Sequence, residues 1–183
     1  WVSHIELTDE QKNHLSQKGH SLKAIEQRRQ TRLKNALAQR QPIIDKARGE
    51  ILSFSLREIL YIGAALYWAE GAKTQRGVVR FSNSDPLMIK FIMTFFKRVC
   101  KVPTQKFRGY VHIHPHLNYI EAEKYWSSVS GIPLDQFYKT YRKMNRGSKN
   151  KKDSLPYGTF DIYVCDVKLF LKLQGWIQGI ATR

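Results

Sequence analysis

Three short segments after residue 77 alternate strictly between apolar and polar residues, and they constrain the fold more than any other feature. In VVRFS, Val79 and Phe81 point one way and Arg80 and Ser82 the other. In KFRGYVHIH, Phe107, Val111 and Ile113 share a face, while Lys106, Arg108, Tyr110, His112 and His114 take the opposite one. In YGTFDIYVC, Phe160, Ile162 and Val164 face inward, and Tyr157, Thr159, Asp161 and Tyr163 face outward. A period of two marks half-buried strands. The three segments therefore predict one sheet that is apolar on one face and basic on the other. Gln136–Met144 reads as a further strand of weaker alternation.

Helical segments lie between these strands. Ser55 caps a helix over Leu56–Ala69, and Ser84 caps one in which Pro86 falls in the first turn, where proline is tolerated. Asn118 opens a helix that stops at Gly131, and DVKLFLKLQGWIQGI closes the chain. The order is helix, strand, helix, strand, helix, strand, helix, which predicts an α+β domain over residues 51–183. Residues 1–50 read as a separate basic helical extension. Thr8 and Gln11 form a capping box there. From Ser21 to Glu50, Leu22, Ile25, Leu33, Leu37, Ile43, Ile44 and Ala47 give only a thin apolar stripe, and Pro42 is expected to kink or divide it. So polar a helix reads equally well as an arm lying on DNA or a neighbouring subunit, or as a solvated linker.

Lys and Arg number 31 against 15 Asp and Glu, a formal charge of +16. That balance argues for a polyanionic partner. Long donors at two-residue spacing suit the base edges of a major groove, and Tyr and His pack on sugars and bases. Arg80, Ser82, Lys106, Arg108, Tyr110, His112 and His114 are the candidates on the sheet face, with Asp161 as its single acid. Between Phe137 and Lys152 there are seven Lys or Arg and no acid. Among these, Lys139, Arg142, Lys143, Lys149, Lys151 and Lys152 add candidate phosphate contacts. His112, His114 and His116 have no Cys or acid at ligand spacing, so they read as hydrogen-bonding residues rather than a metal site. Cys100 and Cys165 fit neither a disulfide framework nor a zinc quartet and read as reduced, buried thiols of a cytoplasmic protein. No run approaches the ~18 uncharged apolar residues of a membrane span. No signal peptide is visible, and a start at Trp1 rather than Met predicts that the true N-terminus is missing.

LYIGAALYWAEGAK (Leu60–Lys73) is the most apolar stretch, and it ends on an acid. Gly63, Ala64, Ala65 and Ala69 are small, and small residues four apart let two helix backbones approach closely. Glu70 then meets the negative end of the helix dipole, which is unfavourable unless a cation sits beside it. Two such helices side by side would bring two carboxylates together, an arrangement that suits Mg²⁺ and phosphodiester cleavage.

GAALYWAEG (Gly63–Gly71) resembles a degenerate LAGLIDADG motif, the signature helix of the LAGLIDADG homing endonucleases and related regulators. Aligned on the final Gly, Ala64 and Ala65 fall on the motif's small residues, and Ala69 and Glu70 on its closing Ala and acid. VVRFSNSDPLMIKFI resembles the family's strand, turn and next helix, so that residues 56–96 carry the match. The resemblance implies an αββαββα half-saddle whose sheet lies in the DNA major groove. It implies motif helices packed at a two-fold axis, with Gly63, Ala64, Ala65 and Ala69 at the dimer interface. It also makes Glu70 the catalytic, Mg²⁺-binding residue. One motif per chain implies a homodimer on near-palindromic duplex DNA. The chain departs from the pattern at Trp68, which takes the motif's first acidic position. It departs again in the fourteen residues between Glu70 and Asp85, which force a very short first hairpin, and in an extra helix over Tyr119–Ser130. Lys73, Arg80, Lys106 and Lys168 are the candidates for the basic residue that accompanies the acid. WVSHIELTDEQ (Trp1–Gln11) resembles the segment that follows a small helix-turn-helix domain in bacterial proteins of this kind, which implies a DNA-binding module ahead of Trp1. The expectation is a DNA-binding protein of the LAGLIDADG type with Mg²⁺-dependent cleavage through Glu70. The alternatives are a non-cleaving transcription regulator on the same fold and, third, an RNA-binding protein.

Overall fold

A computed structural model describes residues 6–74, 77–142 and 155–183, the side chains of residues 18–20 and 142 excepted. The chain divides into two compact units, Trp1–Ser53 and Phe54–Arg183. The first holds α1 (Asp9–His20) and α2 (Leu22–Glu50). The Thr8 backbone N–H donates to Gln11 Oε1 at 2.9 Å, completing the expected capping box. Ser21 ends α1 in an extended conformation and caps α2, its hydroxyl accepting from the Ala24 N–H. Pro42 does not divide the second helix: α2 runs through it for 29 residues. Proline forfeits one hydrogen bond there, a small part of so long a ladder. No residue of α2 is buried, and its apolar stripe stands exposed. The ion pairs Arg29–Glu26 and Arg48–Asp45 are exposed as well and add only a few tenths of a kcal/mol each, about the usual worth of such pairs.

The second unit holds α3 (Leu56–Glu70), β1 (Val78–Asn83), α4 (Pro86–Arg98), β2 (Phe107–Ile113), α5 (Tyr119–Ser130), β3 (Tyr141–Arg142), β4 (Thr159–Cys165) and α6 (Val167–Ala181). It is mixed α and β. The strands lie in the order β1-β4-β2-β3; β4 is antiparallel to both β1 and β2, and β3 is parallel to β2. The strand expected over Gln136–Met144 is reduced to two described residues. Leu134–Gln136 form a 3₁₀ turn instead, and Phe137 makes a lone bridge to Gly109. The cap of α4 falls one residue later than expected. Asp85, not Ser84, accepts from the Leu87 N–H at 2.8 Å, while Asn83 accepts from the Asp85 N–H. Where a short first hairpin was expected, the described residues form an isolated bridge rather than a strand pair. Gly71 bridges Phe81, and the Ala72 N–H donates to Arg80 O at 2.9 Å, directly after α3. The Gly71 bridge is isolated rather than a strand, so the described elements of this unit follow one another as α, β, α, β, α, β, β, α.

The alternation in the three strands is realised. Val79, Phe81, Phe107, Val111, Phe160, Ile162 and Val164 are all inaccessible to solvent and meet Ile89, Ile92, Phe95 and Phe96 of α4, Trp126 of α5 and Leu173 of α6 in one core. Trp126 lies flat on Phe160, with ring centroids 5.2 Å apart, and its indole N–H donates to Tyr157 O at 2.8 Å. Cys165 departs from the expected burial. It ends β4 on the outward phase and is exposed, whereas Cys100 is partly covered and its thiol is pushed up to about 12 by burial. No helix among the described residues is long and apolar enough to cross a membrane.

Asp166 joins the end of β4 to α6. Its carboxylate accepts from the Leu169 N–H at 3.0 Å as the helix cap and from Lys106 Nζ at 2.8 Å. The Lys106 hydrogen bond, followed by the backbone one, holds its pKa below the usual 3.8. A depressed folded-state pKa means that Asp166 contributes its full stability above pH 3.8 and loses it as the pH falls through the lower, folded value. Asp166→Ala is therefore expected to lower stability at neutral pH by about 1 kcal/mol, the usual worth of a helix cap. The difference from the parent should shrink in urea titrations taken stepwise below pH 3.8.

Candidate functional site

Registration of the strands sets the outer sheet face out in rungs. Arg80, Tyr163 and Arg108 form one rung, Ser82, Asp161 and Tyr110 the next, and Thr159, His112 and Tyr141 the third. Asp161 therefore stands at the centre of the basic face. Only 2% of it is exposed, because its neighbours close over it. Ser82 Oγ donates to Asp161 Oδ1. His112 Nε2 lies 3.0 Å from Oδ2, and the Tyr163 hydroxyl donates to the same oxygen at 3.3 Å. Three donors on two carboxylate oxygens satisfy a charge that would be costly to bury alone. Asp161 is thus a hub that fixes its neighbours, and it presents no carboxylate to a ligand.

The network extends outward through Tyr163. The Tyr163 side chain holds the Arg80 guanidinium more firmly in its charged form, and the Asp161 charge adds to this. Burial raises the Tyr163 pKa, the Arg80 hydrogen bond opposes that rise, and the Asp161 charge reinforces it. Aromatic rings fill the rest of the face. Tyr110 meets His112 edge-on at 4.4 Å between centroids, Tyr163 at 6.2 Å and Tyr138 at 6.3 Å, while His112 also meets Tyr141 at 5.9 Å. Such edge-to-face pairs add about 0.5–1.5 kcal/mol each beyond burial. The face is consequently more aromatic and more rigid than a row of free cations.

The predicted residues separate on this geometry. Arg80, Ser82, Tyr110 and His112 come together around Asp161. Arg108 lies in the same array, with its Nη1 donating to the carbonyls of Gln105 at 2.7 Å and Phe107 at 2.8 Å. Lys106 is not part of the face; it precedes β2 in a 3₁₀ turn and is engaged by Asp166. His114 follows the strand and lines, with His112 and Tyr141, a cleft of about 170 Å³. It stacks on His116, and among the described residues no group of three or more His, Cys, Asp or Glu is placed to hold a metal. Lys139 is exposed between α5 and β3. The backbone of Arg142 belongs to β3, but its side chain, like Lys143, Lys149, Lys151 and Lys152, lies outside the described residues. Sequence reasoning missed the central role of Asp161, and it missed Tyr138 and Tyr141. A lone acid facing out among cations, with Ser and Tyr on neighbouring strands, was the available signal for the first.

Glu70 closes α3 and is exposed, one residue before the chain pairs with β1. The buried Tyr67 hydroxyl donates to Ala72 O at 2.8 Å and fixes that exit; burial pushes its pKa up to about 12. An exposed carboxylate beside the carbonyl end of a helix offers oxygen atoms, the donor type that Mg²⁺ takes. The small residues of α3 do not all share its outer face. Gly63 and Ala64 are buried within the chain, correcting their placement at a dimer interface: a Cβ at Gly63 would lie 2.2 Å from the Phe95 ring. Gly63 is small because α4 packs against it. Ala65 and Ala69 remain outward, with the exposed Tyr61 and Trp68.

No family model matches this chain, and neither a curated protein nor a solved structure matches it.

Proposed function

We propose that this chain is a duplex-DNA-binding protein of the LAGLIDADG endonuclease type, acting as a homodimer with its outer sheet face in the major groove. The observation that carries this reading is the face itself. Arg80, Arg108, Tyr110, His112 and Tyr163 stand at strand spacing and partly exposed, and the one acid among them is internally satisfied. The element order after α3 supports it, as does a formal +12 on residues 54–183, which hold 21 Lys and Arg against 9 Asp and Glu. The outward stripe of Tyr61, Ala65, Trp68 and Ala69 supports a self-contact along α3. In such a pair Glu70 from each chain would hold Mg²⁺, which supplies charge stabilisation at a phosphate. A non-cleaving regulator is the second reading. Two of the four candidate basic partners, Arg80 and Lys106, are engaged by Tyr163 and Asp166.

Glu70→Gln tests the assignment. Affinity for duplex DNA is expected to stay within about two-fold, since a surface change without lost contacts moves free energy by under about 0.5 kcal/mol. Any Mg²⁺-dependent nicking is expected to vanish. Nicking that survives Glu70→Gln removes Glu70 from the chemistry. Competition at fixed salt, with structured RNA displacing the protein better than duplex DNA, would overturn the DNA reading itself.

A further inference from the structure

His112 is the residue on this face whose hydrogen-bonding character is dictated by the fold. Asp161 is 2% exposed and, as a carboxylate, offers acceptors only, so each group that meets it must donate. His112 Nε2, 3.0 Å away, is therefore the protonated nitrogen. In a neutral imidazole the other nitrogen, Nδ1, is then an acceptor. The hydrogen bond that His112 makes to Asp161 runs through Nε2, and the side chain is 36% exposed. The ring is held edge-on between Tyr110 and Tyr141, so its orientation is set on both sides. While the imidazole is neutral, the face carries a fixed acceptor amid donors: Arg80 and Arg108 present only N–H groups.

We infer that His112 reads an exocyclic amino group, N6 of adenine or N4 of cytosine, through Nδ1. In the major groove these amines are the donors, whereas guanine O6 and thymine O4 accept at the corresponding positions. An acceptor-only side chain therefore separates amino bases from keto bases on the contacted strand. Asp161 is the positioning residue in this scheme. It makes no base contact and acts by fixing which nitrogen of His112 carries the proton. The inference rests on the reading of this face as a DNA-binding surface.

Two measurements test it separately. The ¹⁵N shifts of the His112 ring in the free protein at pH 8 should report the Nε2–H form; an Nδ1–H form overturns the inference whatever the protein binds. Selection from a random duplex library at pH 8 should then yield, in each half-site, one position restricted to adenine or cytosine. His112→Phe is expected to relax that position alone, with a loss of discrimination of about five-fold, the worth of one hydrogen bond. His112→Lys, which can only donate, should shift the same position toward guanine or thymine. If the parent selects a defined duplex and neither variant changes an amino-selecting position, the DNA reading stands and the role of His112 falls. If the parent selects no duplex sequence, both fall together.

Discussion

Gly158→Ala is expected to destabilise the protein by about 3 kcal/mol, the upper end for forcing extra volume into a packed site. Gly158 has φ +65°, a conformation that alone costs a residue with a side chain about 1 kcal/mol. The larger part is steric. A Cβ there would lie 2.1 Å from the carbonyl oxygen of His112 and 3.1 Å from the Ile113 Cα. Both neighbours are backbone of β2, His112 registered with Thr159 of β4 and Ile113 with Arg142 of β3, so neither can rotate away. The cost should appear as a lower urea midpoint with an unchanged slope. Because the clash falls on the His112 peptide, the proposed DNA-binding function predicts that the variant also loses DNA affinity by more than its folded fraction accounts for. An unchanged midpoint would mean that the turn before β4 does not pack as described.

Asp161→Ala is expected to cost about 3 kcal/mol and, on the proposed function, to weaken DNA binding at least ten-fold. Hydrogen bonds to a charged group are worth about 1.5–3 kcal/mol each, and this carboxylate accepts three. Ser82, His112 and Tyr163 keep partial access to water, so the loss is less than the sum. Asp161→Asn keeps the shape and one acceptor and should cost less. Denaturation and fluorescence-anisotropy titrations on the two variants separate the structural part from the binding part. If Asp161→Ala binds DNA as well as the parent does, removing the face's only acid outweighs the order it imposes, and the face is a charge surface rather than a preorganised one.

How much of this was legible in the sequence follows from the physics of each element. The sheet was, because Phe81, Phe107, Phe160 and Ile162 repeat with period two and no helix produces that pattern. The caps Ser55, Asn118 and Gly131 were, because each satisfies a local backbone need. Strand neighbours were not legible: β4 inserts between β1 and β2, and nothing local to Val78–Asn83 announces a partner some eighty residues away. That pairing turned Asp161 from one outward acid into a buried hub. Gly63 and Ala64 were misplaced for a related reason. Smallness at helical spacing says that something packs closely, but whether it is Phe95 of the same chain or a second copy depends on tertiary contacts. The engagement of Lys106 by Asp166 likewise joins residues sixty apart.

The most direct test of the central claim is selection from a random duplex library in Mg²⁺, with the bound molecules and any cut ends both sequenced. A homodimer that lays two copies of this face in adjacent major grooves predicts an enriched palindromic motif, with staggered cuts at its centre if Glu70 holds the metal and intact DNA if the chain is a regulator. Binding without any enriched duplex sequence, or a preference for structured RNA at the same salt, would contradict it.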